Sequence, residues 1–249
     1  MTEPVSGVVC ALRSEARCLG VRFTGANRLQ SAGHGVLVAL TGMGANAAAA
    51  GAERLVAAGA GALVSFGMAG GLDPTLPAGT LVLADEVSTS DGVIVLTDRA
   101  WCARLASVRG AARVVRGRLL SVAAPVVSVR AKAELYRASS AIAIDMESAA
   151  IAEVARRRTL PFVVVRAIVD DAAAAVPTTV LASARADGEP ALARLLRALL
   201  RHPADVPAVV RLGRGYFRAA RSLRAVARSG SLVASHPRGD AAVHGVRLA

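Results

Sequence analysis

Short runs of Val, Leu and Ile alternate along the chain with Ala-rich stretches of helical period, the pattern of a parallel or mixed sheet covered by helices. Residues 5–12 read as a first strand and 13–19 open a helix. Residues 35–41 form a strand that stops at Gly42-Met43-Gly44, and a helix follows over 46–58. A strand over 62–66 ends in Gly67-Met68-Ala69-Gly70-Gly71. Strands are predicted over 81–88, 92–96 and 118–122, with a short helix over 131–136. Residues 141–144 lead through Asp145-Met146-Glu147 into a helix over 148–157, and the β-branched run 162–168 stops at Asp170-Asp171. Acidic side chains thus stand where buried strands emerge, the usual place of chemistry in α/β folds.

Beyond a loop at Val176-Pro177-Thr178-Thr179, residues 190–200 carry Leu192, Leu195, Leu196 and Leu199 on one helical face and close a main domain of residues 1–202. The character changes after Pro203. Arg211, Arg214, Arg218, Arg221, Arg224 and Arg228 recur at steps of three and four, which stacks six guanidiniums along one face. Leu212, Tyr216, Phe217, Leu223 and Val226 take much of the remainder. From Ser229 the composition predicts a disordered tail, so residues 203–249 are expected as a basic amphipathic helix with a flexible C-terminal end.

A chain of 249 residues suffices for one substantial core. Its hydrophobic content of 54% and mean hydropathy of +0.48 owe much to Ala, which adds helix propensity more than lipid affinity. Glu53-Arg54 and several Gly break the best apolar window, between Val36 and Phe66, so no spanning helix is expected. Met-Thr-Glu-Pro-Val at the start has no basic segment ahead of an apolar one, which predicts a cytoplasmic protein. Cys10, Cys18 and Cys102 lack CxxC or Cys/His spacing, which predicts reduced thiols and no structural metal. The net charge of +12 comes from 29 Arg and one Lys. Residues 190–249 hold 11 Arg against Asp205 and Asp240, or +9 of that charge, and leave the remainder nearly balanced.

Two glycine-rich turns invite a nucleotide reading. Gly42-Met43-Gly44-Ala45-Asn46 begins as GxGxxG does, but the third position is Ala47 and no acidic residue ends a following strand at the required distance. A phosphate-binding turn and a tight turn for close helix packing both remain open. The carboxylates say more. Asp145, Glu147, Asp170 and Glu15 each adjoin an apolar strand end, where desolvation raises a carboxyl pKa and equips it as an acid. Breaking a C–N glycosidic bond needs such groups, because positive charge develops on the ribose and negative charge on the departing base. The structural alternatives are a helix cap or turn for Asp170, with Asp171 as a competitor, and a first-turn Glu favoured by the helix dipole for Glu147.

Five segments in one order resemble the nucleoside phosphorylase and methylthioadenosine/S-adenosylhomocysteine nucleosidase superfamily. They are Cys10-Ala11-Leu12-Arg13-Ser14-Glu15, Thr41-Gly42-Met43-Gly44, Phe66-Gly67-Met68-Ala69-Gly70-Gly71-Leu72, Asp145-Met146-Glu147-Ser148-Ala149-Ala150 and Arg166-Ala167-Ile168-Val169-Asp170. The resemblance spans residues 5–200 and implies a three-layer α/β/α phosphorylase/hydrolase-like fold with a central mixed, twisted sheet. It implies a homo-oligomer, and no cofactor apart from inorganic phosphate as a candidate co-substrate. By position, Asp170 resembles the acid that protonates N7 of the purine and Glu147 the carboxylate that holds the ribose hydroxyls, with Met146 beneath the sugar. Glu15 resembles the glutamate that activates water in the hydrolytic branch, and Val126 the residue whose backbone pairs with an adenine edge. Met68, Gly70 and Met43 are expected to complete the substrate site, while Asp145 supports the turn.

A finer resemblance, to the hopanoid-associated phosphorylases, rests on Ser65 through Pro74, on Asp145-Met146-Glu147-Ser148, and on His202-Pro203 leading through Pro207 and Leu212 into the Arg-rich helix. It implies release of adenine from adenosylhopane, leaving a ribosyl or phosphoribosyl hopane on the way to bacteriohopanepolyols. The alternatives are a hydrolytic nucleosidase acting on methylthioadenosine/S-adenosylhomocysteine-like or other purine nucleosides, and a non-catalytic nucleoside- or lipid-binding protein. The nucleophile stays open, with the resemblance to a phosphorylase branch pointing towards phosphate. Ser65 stands where some bacterial phosphorylases place an arginine and Met68 where Ser or Thr is common, with Arg13 and Arg130 as substitute phosphate contacts, whereas Glu15 favours water. Met43 and Met68 suit either a pocket for a bulky apolar 5′ substituent or ordinary packing. The helix bearing Arg211 to Arg228 suits an anionic membrane surface, where each Arg contributes about 1 kcal/mol, or a solvated face. Few aromatics and no recognised motif argue against a nucleic-acid partner.

Overall fold

The computed structural model describes residues 5–24, 28–183, 192–234 and 246–248. Its strands are β1 (Val5–Cys10), β2 (Leu29–Gly33), β3 (Val36–Leu40), β4 (Ala60–Gly71), β5 (Leu81–Thr89), β6 (Val93–Leu96), β7 (Val114–Ser121), β8 (Ala143–Asp145), β9 (Phe162–Asp170) and β10 (Val246–Leu248). Its helices are α1 (Arg13–Cys18), α2 (Ala45–Ala57), α3 (Arg99–Ala106), α4 (Val129–Ser139), α5 (Ser148–Arg157), α6 (Thr178–Ser183), α7 (Leu192–Arg201) and α8 (Val206–Arg228).

The strands make one mixed sheet in the order β10-β6-β5-β7-β8-β4-β1-β3-β2, and β9 joins β4 to β5. Those pairings close a ring: β4 pairs β9, β9 pairs β5, β5 pairs β7, β7 pairs β8, and β8 returns to β4. β4 makes this possible by its length, since it lies beside β1 early and beside β8 only at Gly70 and Gly71. Within the ring Gly70 is the crossing point, in register with Ile144 of β8 and with Asp170 of β9.

Alternation along the strands sorts side chains onto two faces. Val8, Cys10, Val64, Phe66, Leu81, Leu83, Val163 and Val165 pack with Ala16 and Cys18 of α1, Trp101 and Leu105 of α3, and Leu223 and Val226 of α8. Val9, Ala39, Leu63, Val82, Val164 and Ile168 pack with Ala48, Ala52 and Leu55 of α2 and Ile151, Val154 and Ala155 of α5. Each face has its own helical cover, so the expected three-layer α/β/α arrangement with a central mixed sheet is present.

Several elements lie where the apolar pattern gave no signal. β2 is an edge strand of Leu-Gln-Ser-Ala-Gly, joined to β3 by a two-residue turn in which His34 (φ 48°) and Gly35 (φ 72°) both adopt positive φ, as a type I′ hairpin demands. α3 is a short helix capped by the Asp98 side chain, which accepts from the Trp101 amide at 2.8 Å. α6 replaces part of the expected loop at Thr178-Thr179. The expected helix over 190–200 begins at Leu192; Pro190 and Ala191 lie outside the described residues, as do the side chains of Leu192 and Leu196.

The segment after residue 203 shares the main core. Gly215 of α8 approaches the Val169 carbonyl so closely that a Cβ has no room, Ser222 Oγ donates to the Gly79 carbonyl at 2.7 Å, and Ala219, Ala220, Leu223 and Val226 are fully buried. Four of the buried residues, Gly215, Ala219, Ala220 and Ser222, are small, so the arginines dominate the sequence pattern. Phe217 of the same helix is 70% exposed. Residues 229–234 depart from the expected disordered tail. Ser231 accepts from the Trp101 indole at 2.8 Å, Ala234 donates to Ser6 Oγ at 2.8 Å, and Leu232 is buried. The rest of that tail, apart from β10, lies outside the described residues. None of the described helices is long and apolar enough to cross a membrane.

Candidate active site

The eight residues expected at the site, Glu15, Met43, Met68, Gly70, Val126, Met146, Glu147 and Asp170, all line one cleft of about 200 Å³. The ends of β4, β8 and β9 and the turns after β1 and β3 bring them together.

Glu15 is the third residue of α1. Its Oε2 accepts from the amides of Ala11 and Leu12 at 3.0 Å each, a reach back to the helix start like that of a capping box. Its Oε1 accepts from the Met68 amide at 2.8 Å. Three amides favour the charged form, as does Arg166, yet burial outweighs them and pushes the Glu15 pKa up to about 7. Gly67 makes the approach possible, because a Cβ there would collide with Glu15 Oε1 and Arg166 Nη1.

Arg166 of β9 is buried beneath the cleft. Its Nη2 lies 2.6 Å from Asp145 Oδ2 and 3.4 Å from Glu147 Oε2, and donates to Ser65 Oγ at 2.9 Å. Its Nη1 donates to the Met68 carbonyl at 3.2 Å. One guanidinium therefore serves three carboxyls, those of Glu15, Asp145 and Glu147. The surplus negative charge in a desolvated place favours proton uptake. Burial raises the Glu147 pKa, with Arg166 pulling it down and Asp145 adding to the rise.

Glu147 stands at the N-cap of α5 and accepts from the Gly44 amide at 2.9 Å. Gly42 (φ 89°) and Gly44 (φ 97°) give the turn after β3 the shape that aims this amide, so here the first glycine turn meets a carboxylate. Asp145 supports the turn into α5: it accepts from the Ser148 amide and hydroxyl and pairs with Arg166.

Asp170 ends β9 and forms an ion pair with Lys132 of α4. Lys132 is the chain's sole lysine and is fully buried; it also donates to the carbonyls of Asp171 at 3.0 Å and Ala174 at 2.9 Å. Burial pushes the Asp170 pKa up to about 6, against the lowering effect of the ammonium. The Val176 amide donates to the Val127 carbonyl at 2.9 Å, which ties the loop after β9 to the wall that carries Val126.

The phosphate contacts considered from sequence are placed elsewhere. Arg13 donates to the Phe23 carbonyl, and the Arg130 side chain is 90% exposed and paired with Glu134. Neither lines the cleft. Ser65 is fully buried beneath it, 2.8 Å from Ser148 Oγ. Lys132 was not singled out in the sequence; its one signal was to be the only Lys among 29 Arg. Arg166 was visible only as a letter in a motif, since nothing in a strand pattern says that its guanidinium turns under the site.

The arrangement offers two carboxyls, both with pKa raised by burial, beside the end of β4. Glu15 of α1 accepts from the Met68 amide of β4, and Asp170 of β9 is in register with Gly70 of the same strand. A substrate lying across Met68 to Gly70 meets a carboxyl at each end. Among the described residues no group of three or more His, Cys, Asp or Glu side chains is arranged to hold a metal ion.

Solved structures share this fold. Over 90% of this chain and 99% of its own length, the 5′-methylthioadenosine/S-adenosylhomocysteine nucleosidase of Neisseria meningitidis, in complex with methylthio-immucillin-A, superposes with a TM-score of 0.65 at 21% identity. The Helicobacter pylori nucleosidase of the same name does so with a TM-score of 0.68 at 18% identity, over 92% of this chain and 98% of its own. Futalosine hydrolase of Helicobacter pylori gives 0.64 at 18% identity, over 91% and 98%. At such identities the likeness is one of fold. Residues 20–201 match the family model described as the phosphorylase superfamily, and the chain belongs to that superfamily.

Proposed function

We propose that the chain releases adenine from an adenosine bearing a large apolar 5′ group, adenosylhopane being the substrate its sequence resemblance implies, and that water is the attacking nucleophile. The observation that carries the chemistry is the pair of buried carboxyls beside β4, with pKa values of about 7 for Glu15 and about 6 for Asp170. Asp170 in its acid form donates to N7 and so stabilises the leaving base. Glu147 holds the ribose hydroxyls over Met146. Glu15 in its charged form accepts a proton from the water that attacks C1′.

Water is favoured over phosphate because the described residues lining the cleft include no Arg, Lys or His, and the buried cation beneath it is already matched to carboxylates. A phosphate dianion there would meet uncompensated negative charge. The apolar 5′ group is favoured by Met43, which is 45% exposed beside the cleft, and by the cleft's small volume. Sites that enclose a drug-sized ligand run to roughly 300–1,000 Å³, so only the nucleoside end would be enclosed and a ring system would lie outside.

Methylthioadenosine or S-adenosylhomocysteine is the second reading, motivated by the likeness to nucleosidases named for those substrates. Adenine release from adenosylhopane and from methylthioadenosine, each with and without phosphate, tests the proposal. It predicts faster release from the hopanoid and no dependence on phosphate. Failure to release adenine from any of them, or equal residual release by Asp170→Asn, would overturn the assignment; strict dependence on phosphate would overturn water.

A further inference from the structure

The inner face of α8 is occupied by the core, and its outer face carries an arrangement of a different kind. At 100° per residue Val206, Val210 and Phe217 fall within about 40° of one another on the outer side. They are 41%, 47% and 70% exposed. Arg214, Arg221, Arg224 and Arg228 are exposed and fall on the same side, with Arg211 and Arg218 towards one edge. The buried residues Gly215, Ala219, Ser222 and Val226 fall on the opposite side. The helix contains six arginines and no acidic residue. Its 23 residues extend about 35 Å at 1.5 Å each.

We propose that this face, Val206, Val210 and Phe217 bracketed by arginines, docks on an anionic lipid bilayer. A solvated face does not need a line of exposed apolar side chains within its charge. A second copy of the same face would bring six arginines against six. A nucleic acid would satisfy the guanidiniums and leave Val206, Val210 and Phe217 unused, whereas a bilayer interface takes both, apolar side chains among the acyl chains and guanidiniums among the headgroups.

The face also stands close to the chemistry. Arg211 pairs with Asp171 at 2.9 Å, the residue after Asp170, and Gly215 seats the helix on Val169 of the same strand. An α-helix with its side chains is about 10–12 Å across. Docking the outer side would hold the end of β9 roughly one helix diameter from the lipid. The inference stands on the helix alone and does not depend on the glycosidic reading.

Flotation of the full chain with vesicles of phosphatidylcholine, alone or mixed with phosphatidylglycerol, tests it. The wild type is expected to float with the mixed vesicles only and to be released by salt. Arg221→Glu/Arg224→Glu should lower partitioning by more than about tenfold, from about 1 kcal/mol per basic residue near the surface. Phe217→Ser should leave the salt dependence and weaken retention. All these positions are exposed, so an unchanged melting temperature is the control for folding. No flotation with anionic vesicles, or equal flotation of the charge-reversed variant, overturns the proposal. So does a dimer in light scattering that Phe217→Ser dissolves, or binding to duplex DNA stronger than to vesicles. Absent flotation with intact adenine release would remove this surface and leave the proposed activity standing.

Discussion

Lys132 and Asp170 form a buried ion pair in which the ammonium has two further acceptors, the carbonyls of Asp171 and Ala174. The lysine thus holds the proposed acid and the loop behind it as one unit, while its charge restrains the pKa rise that burial imposes. Lys132→Met is expected to raise the Asp170 pKa further. Asp170 must be protonated to act, so the alkaline limb of the pH–rate profile should move to higher pH. Loss of the partner of a buried charge costs about 3–5 kcal/mol, less where the remaining carboxyl can take up a proton. Urea unfolding should therefore show a greater loss at about pH 8 than at about pH 5. Equal losses at both would mean that Lys132 acts only through the loop carbonyls.

The two raised carboxyls predict a bell-shaped profile of kcat/KM. Activity falls on the acid side as Glu15 gains its proton and on the alkaline side as Asp170 loses its own. Because both groups titrate in the same range, only a minority of the enzyme carries both in the required state at the optimum. Glu15→Gln should abolish the acid limb along with most of the activity. An acid limb that survives in that variant would count against Glu15 as the base.

Stability follows a related course. The pKa of Glu15 rises on folding from 4.5 to about 7, so its contribution is fully present below 4.5 and is lost as pH rises through 7. That shift corresponds to about 3 kcal/mol. The melting temperature should decline across this interval, and less steeply in Glu15→Gln. Asp170 adds a smaller decline of the same sign through about 6.

Gly67→Ala places a methyl group against Glu15 Oε1 and Arg166 Nη1. Overpacking of this kind costs about 1–3 kcal/mol, and here it would also displace the proposed base. Activity should fall by a larger factor than stability alone explains, measured as adenine release under conditions where circular dichroism shows the variant folded. Wild-type activity in a folded Gly67→Ala protein would show that the Glu15–Arg166 contact can relax without cost to catalysis.

Strands with long apolar runs, such as β5 and β9, were legible from alternation and β-branching, and so was the entry of α5 directly after Asp145-Met146-Glu147. β2 and α3 were not, since an exposed edge strand needs no apolar run and an eight-residue helix barely completes two turns. Candidate site residues could be named because strand ends concentrate them. Their ties could not: the pairing of Lys132 with Asp170 links positions 38 apart, and that of Glu147 with Gly44 links positions 103 apart. Such contacts follow from sheet order, which local periodicity does not encode. The same holds for α8, whose buried side combines Gly215, Ala219, Ala220 and Ser222 with Leu223 and Val226, a pattern masked by the periodic arginines.

The closed circuit of β4, β9, β5, β7 and β8 leaves these five strands without a free edge between them. Amides within it should exchange with solvent chiefly through opening of the whole ring, since releasing one strand breaks ladders on both sides. The spacing between Asp170 and the Asp145-Met146-Glu147 turn is therefore a property of the frame. A change of substrate is expected in the segments that hang from it, the turn bearing Met43 and residues 122–128 and 171–177, where side chains can be exchanged without reopening the circle that keeps acid and sugar clamp in step.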